Sequence, residues 1–278
     1  GQLLIKEEQE KAIYKISTTS EEDFPSLPEF FDENLLEITV RVLSQLFEKT
    51  AFCASKDEAR FVVGGIYVEP LLDEGKLRAV ASDGHRLALY EVEVSDLKNS
   101  SLVESFIIGR KAVNLISEIS EEELLVKFGF VNNYAVLFFS NGFFFSRTIE
   151  GTYPDYKSVI PTEFQNLLKV DKKLLSDAIK RAGLLISEKF KPIKFTLSSS
   201  SITLNSPETE WGSAEIKIPA EYQGTPLTVT FNADYLLSAL DQMVSEEIEI
   251  KIIDEKAPAL ITGYRDEGFL YLLMPMVL

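Results

Sequence analysis

This sequence is poor in the residues that most enzymes use. It holds one histidine, His85, one cysteine, Cys53, and one tryptophan in 278 residues. A lone cysteine forms no intrachain disulfide, which fits a reducing compartment and leads us to expect a cytoplasmic protein. One histidine and one cysteine, far apart, do not make a zinc site. Long hydrophobic runs are missing too. The longest, "FLYLLMPMVL", has ten residues, and a membrane helix needs about 20. The opening "GQLLIKEEQEK" turns charged within six residues, unlike a secretory leader. Positive charge is scarce: 28 Lys and Arg stand against 44 Asp and Glu, a net charge of −16. That argues against a surface coated with basic patches, but leaves room for a small local one.

What is present is core-forming material. Hydrophobic residues make up 45% of the chain, with 19 Phe, which marks a globular protein, and the length predicts two or three domains. One pattern occurs twice. "VRVLSQLFEKTAFCASKDEARFVVGGIYVE", from Val40, and "KKLLSDAIKRAGLLISEKFKPIKFTLSSS", from Lys172, each read as an amphipathic helix, a charged Ser-containing segment and a strand. Leu175, Ala178, Ile179, Ala182 and Ile186 form an apolar stripe at helical spacing, as do Leu43, Leu46, Phe47 and Thr50. A second helix follows in each copy, from Gly109 and from Asn232, with Asn232 as N-cap. Alternating strands lie between, including hairpins around Asp83-Gly84 and Asn205-Ser206-Pro207. The fold class is α+β with mostly antiparallel sheet. "GTYPDYKSVIPTEF" interrupts the pattern with two prolines. Residues 1–34 fit neither copy: a strand pair comes first, then "DFPSLPEF" reads as a linker.

The motif "SDGHRLALYEVEV" carries His85, two residues after Asp83. A hydrolase would need a nucleophile oriented beside that pair, and no G-x-S-x-G or Gly-rich phosphate loop is present. A polar turn is the plainer reading. The helices offer cations: Arg41 and Lys49 on the first, Arg110 and Lys111 on the second, Lys172, Lys173, Lys180 and Arg181 on the third. They form either a solvated face or a line of phosphate contacts without base readout. Glu48, Glu118 and Asp177 share those faces. The end, "YLLMPMVL", is a final strand or the lip of an apolar peptide groove, for which Met is well suited.

Taken in order and spacing, "ASDGHRLALYEVEV", "GRKAVNLI", "GTYPDYKSVIP", "SEKFKPIKF" and "MPMVL" resemble the bacterial sliding clamps, the β subunits of DNA polymerase III. The likeness covers nearly the whole chain. It implies repeated clamp-type domains, each with two helices on one face and antiparallel sheets on the other. Residues 35–158 would be the second domain and 159–278 the third. Residues 1–34 would be the remnant of a first domain plus its linker, and this chain would then be a monomer, where the family forms a head-to-tail homodimer around duplex DNA. The implied function is a processivity factor, not an enzyme, without cofactor or metal. Its partners would be duplex DNA, held without sequence preference, and the replicative polymerase, clamp loader and repair proteins, held through short peptides.

Carried over by position, the peptide pocket falls on Val63, Ser82, Gly84, His85, Arg86, Leu87, Pro154, Val159, Pro258, Leu272, Met274, Pro275, Met276 and Leu278. Ser158 and Val277 stand where the family often has basic residues. DNA would face the eight helix cations named above. The ring interface would use Leu184, Leu185, Glu208, Glu210 and Glu215. The alternative is a small hydrolase using Asp83 and His85.

Overall fold

The computed structural model describes residues 1–6, 12–20, 34–119, 121–140, 142–187 and 190–277, without the Glu58 side chain. The chain forms two units, residues 1–33 and residues 34–278. The smaller is an antiparallel hairpin of β1 (Gln2–Lys6) and β2 (Ile13–Ser17), with Gln2 opposite Ser17 and Lys6 opposite Ile13. The expected linker "DFPSLPEF" lies outside the described residues.

The larger unit runs through one element order twice. The first pass is β3 (Leu36–Thr39), α1 (Val40–Ala51), β4 (Gly65–Leu71), β5 (Lys76–Ser82), β6 (Arg86–Glu93), β7 (Phe106–Gly109), α2 (Arg110–Ser117), β8 (Leu125–Val131), β9 (Tyr134–Phe139) and β10 (Gly142–Arg147). The second is β11 (Asn166–Asp171), α3 (Lys172–Ala182), β12 (Pro192–Ser198), β13 (Ser201–Asn205), β14 (Glu215–Pro219), β15 (Glu221–Gln223), β16 (Leu227–Asn232), α4 (Ala233–Gln242), β17 (Glu247–Ile252), β18 (Ala259–Gly263) and β19 (Phe269–Leu273). Strand pairing repeats as well. The order β10-β9-β8-β3 corresponds to β19-β18-β17-β11, and β6-β5-β4-β7 corresponds to β14-β13-β12-β16, with the short β15 added beside β11. The two passes are then joined by a pairing with no local sequence signal. β19 lies antiparallel to β6, with Phe269 opposite Tyr90 and Leu273 opposite Arg86. The result is one nine-stranded sheet.

The helices form where their stripes and caps place them. Leu43, Leu46, Phe47 and Thr50 of α1 are all buried, as are Leu175, Ala178, Ile179 and Ala182 of α3. The α3 stripe ends on Ile186, which stays buried past a 3-10 turn at Gly183–Leu185. Side-chain oxygens accept from otherwise unpaired first-turn amides: Asp171 Oδ1 from Leu174 N at 2.7 Å, and Asn232 Oδ1 from Asp234 N at 3.0 Å and Tyr235 N at 3.3 Å. α1 packs beside α2 and against β5 and β6; α3 packs beside α4 and against β13 and β14.

The main core runs through both passes. A smaller apolar cluster occupies the other face of the joint. Leu87, Leu89 and Leu272 belong to it, while the intervening Ala88 and Tyr271 belong to the main core, as the alternation of a strand requires. The proline-bearing segment between β10 and β11 covers this cluster. It has no strand or α-helix, only a 3-10 turn at Lys157–Val159. It is more than a linker: Tyr153 and Tyr156 are buried on the cluster, and Tyr153 stacks on Tyr67 at 5.0 Å. Arg78 Nη1 donates to Tyr156 Oη at 2.7 Å and pairs with Glu69 at 3.0 Å, and Tyr156 in turn donates to Glu69. Among the described residues no helix is long and apolar enough to cross a membrane.

Candidate functional site: an apolar groove at the joint

The joint leaves a groove of about 420 Å³ between the covering segment and the β6–β19 pair. Val63, Ser82, Gly84, His85, Arg86, Leu87, Pro154, Val159, Pro258, Leu272 and Met274 line it. A second hollow of about 320 Å³ shares His85 and Met274 and adds Pro275, Met276 and Val277. The structure therefore brings thirteen of the fourteen expected pocket residues to two adjoining hollows; Leu278 lies outside the described residues. Sequence reasoning missed Arg60, Tyr153, Asp155 and Tyr156 in the first hollow and Phe190, Asn232 and Tyr235 in the second. The two tyrosines stand inside the motif "GTYPDYKSVIP" and were open to detection. Arg60, in "KDEARF", carried no signal. It matters, because Ser158 turns its hydroxyl onto Asp155 O at 2.8 Å, and Arg60 supplies a cation to the wall instead.

The turn between β5 and β6 is built from short-range hydrogen bonds. Asp83 Oδ1 accepts from the amides of His85 at 3.0 Å and Arg86 at 3.1 Å. Ser82 Oγ accepts from Gly84 N at 3.1 Å and donates to Arg86 O at 2.8 Å. Gly84 has φ +87°, a conformation that a side chain would strain. His85 O accepts from Met274 N at 2.9 Å, which fixes the chain end beside the turn. The hydrolase reading is corrected by this geometry. The Asp83 carboxylate is taken up by two amides and by Arg86 Nε at 3.0 Å, so it orients the backbone. Burial, stronger here than the nearby Arg86 charge, holds the Cys53 thiol well above its usual range, which suits a packed thiol and not a nucleophile. Among the described residues no cluster of three His, Cys, Asp or Glu side chains could hold a metal.

The helix cations divide. Lys111, Lys173, Lys180 and Arg181 are exposed. Arg41 pairs with Glu123 at 2.9 Å, Arg110 donates to Ser55 O at 3.4 Å, and Lys172 donates to Met243 O at 2.5 Å. Lys49 is spent inside the protein. It donates to Gln242 O, pairs with the buried Asp266 at 3.7 Å and lies over the Phe269 ring. Of the expected interface residues, Leu184 is 79% exposed and Leu185 is half-buried. Glu208 and Glu210 are exposed on the β13–β14 loop, and Glu215 is exposed on β14 itself.

A duplicated helix-and-sheet unit with a groove at the joint of its two copies defines a binding protein built from clamp-type domains. Two family models match it: the DNA polymerase III beta subunit, central domain, over residues 37–155, and the C-terminal domain of the same subunit over residues 157–277. The beta sliding clamp of Caulobacter vibrioides is 31% identical over 257 residues, covering 91% of this chain and 68% of the relative. A Bacillus subtilis sliding clamp structure superposes with a TM-score of 0.88 at 26% identity, over 100% of this chain and 72% of that one. A Pseudomonas aeruginosa sliding clamp solved bound to griselimycin gives 0.87 at 27% identity, over 100% and 74%. The chain belongs to the β sliding clamp family, the β subunits of DNA polymerase III. That family is a non-enzymatic processivity factor in replication.

Proposed function

We propose that the groove beside His85 receives short peptides from partner proteins, and that the chain serves as part of a clamp around duplex DNA. One observation carries the peptide reading: an apolar groove held open between a hydrogen-bonded turn and a tyrosine-anchored segment. Its floor takes aliphatic and aromatic side chains, and His85, Arg86 and Arg60 give its rim a few polar groups. The griselimycin complex of the Pseudomonas aeruginosa clamp supports ligand binding by this fold. Replicative polymerase, clamp loader and repair proteins would share the groove through related peptides.

The division into domains at 35–158 and 159–278 belongs to the same reading, supported by the strand-for-strand repetition. So does the head-to-tail dimer expected of three-domain members of the family. β10 and β14 end their sheets among the described residues, and they correspond by position to β19 and β6. A joint of the β6–β19 kind could therefore recur between β14 of one chain and a β10-like edge of another, with Glu215 on β14 and Leu184, Leu185, Glu208 and Glu210 contributing. DNA would pass the exposed cations of α2 and α3.

Titration with the pentapeptide Gln-Leu-Ser-Leu-Phe tests the groove. A small apolar contact predicts a Kd on the order of micromolar, about −8 kcal/mol. Met274→Asp places a charge in the groove and should abolish measurable binding with thermal stability unchanged. Equal affinities for both proteins would refute the assignment.

A further inference from the structure

Arg86 is named above as part of the groove wall, and its guanidinium is also tied to groups outside the groove. Three of its N–H groups are held at once. Nε donates to Asp83 Oδ2 at 3.0 Å, Nη2 to Phe52 O at 2.8 Å and Nη1 to Ser238 Oγ at 2.7 Å. The cation also lies over the Tyr235 ring at 4.2 Å and the Phe52 ring at 5.5 Å. These partners come from three places: the turn itself, the residue that ends α1, and α4 of the other repeat. Ser238 does not line either hollow. Its hydroxyl donates to Tyr235 O at 2.8 Å. With its proton committed there, its lone pairs face Arg86, so it is an oriented acceptor.

We infer that Ser238 is a positioning residue for the peptide groove, acting across the repeat joint through Arg86 and Asp83 on the turn that carries His85. The inference rests on the groove being a peptide site. The chain of contacts is continuous. Ser238 fixes one end of the guanidinium. The guanidinium fixes the Asp83 carboxylate. The carboxylate holds the amides of His85 and Arg86, and His85 O holds Met274 N. Both residues shared by the two hollows, His85 and Met274, therefore depend on an α4 hydroxyl that lines neither hollow. Removing it leaves a half-buried N–H of a charged group without its acceptor, which is costly enough to move the group.

His85 is the single histidine, so its imidazole proton resonances report the turn without ambiguity. The experiment compares wild type, Ser238→Ala, Ser238→Thr and, as a remote control, Ser199→Ala. Each is read by His85 chemical shift, by Kd for Gln-Leu-Ser-Leu-Phe and by thermal melting. Ser238→Ala should shift the His85 resonances and weaken the peptide about fivefold. Ser238→Thr, which keeps a hydroxyl, should restore both, and Ser199→Ala should change neither. A lower melting temperature with unchanged His85 shift and Kd would reduce Ser238 to a structural role and overturn the inference. Absence of peptide binding by wild type would remove the groove reading itself, a different failure from a wild type that binds and a Ser238→Ala that binds equally well.

Discussion

At the scale of single residues, one side chain separates what the sequence offered from what the fold did with it. Lys49 lies on the polar face of α1, four residues after Gln45, where spacing allows either a solvated side chain or a phosphate contact. Its partners, Gln242 and Asp266, lie far along the chain and were invisible to any local pattern. His85 shows the converse. Its neighbours Asp83, Gly84 and Arg86 already announced a tight turn, and only its distance from a nucleophile stayed open. Asp266 supplies the stability argument. Burial by itself would push its carboxyl up, but the Ser245 hydroxyl, the Val244 and Ser245 amides and Lys49 outweigh burial and hold it below the usual range. A carboxyl depressed in the folded state adds stability above its unfolded pKa, and that stability is lost as pH falls through the folded value. Urea unfolding should therefore show stability declining below about pH 4. Asp266→Ala orphans two amides and takes the carboxylate from Lys49, and should cost about 3 kcal/mol at pH 7 while flattening that acid decline. Lys49→Met should cost about 2 kcal/mol and leave DNA binding unaltered.

The same division holds for elements. Helices were legible because burial stripes and caps are local: the α1 and α3 stripes lie where their spacing puts them, and Asn232 caps α4. The β5–β6 hairpin was legible from Asp83-Gly84. The pairing of β19 with β6 was not, since either strand could have formed an edge, and pairing across repeats leaves no mark in either sequence. The Met-rich end offered one candidate lip of the groove, and the rest was legible only through resemblance, because the two walls come from strands that meet nowhere in the chain order. For DNA, the element that matters is α3, whose exposed face carries Lys173, Lys180 and Arg181. Exposed lysines near phosphates add affinity mainly by releasing counterions. Lys173→Glu with Lys180→Glu should weaken retention of linear duplex and reduce the salt slope by roughly 2 contacts' worth. A slope equal to wild type, measured by fluorescence anisotropy from low to moderate salt, would take α3 out of the DNA face.

At the scale of the molecule, the duplication was readable in the order of helices and strands, yet the sequence suggested two bodies joined by a proline-bearing link. The fold makes residues 34–278 one unit. Three features act together: a nine-stranded sheet that crosses the joint, a core cluster with members from both passes, and the Arg86 bridge from the β5–β6 turn to α4. The second apolar cluster closes the other face of that joint, with Val80 and Leu87 from the first pass packed with Leu260 and Leu272 from the second. Neither pass can unfold without exposing apolar surface of the other, so opening one raises the free energy of both. This predicts that stability is shared across the joint. Phe47, fully buried in the first pass and edge-on to Phe128 at 6.3 Å, should cost about 3–5 kcal/mol when cut to Ala. That loss should appear in native-state hydrogen exchange at the slowest amides of β17 and β18, in the second pass, as well as at β5 and β8 in the first. Ile250→Ala should do the reverse. If Phe47→Ala lowered protection only in the first pass, the two copies would be independent domains that merely share a sheet edge. The groove at their joint would then open and close with domain motion, and its affinity for peptide would rise when the joint is pinned. Equal losses in both passes instead describe a groove that is preformed, with the turn, the tyrosine-anchored segment and β19 held by a single cooperative unit.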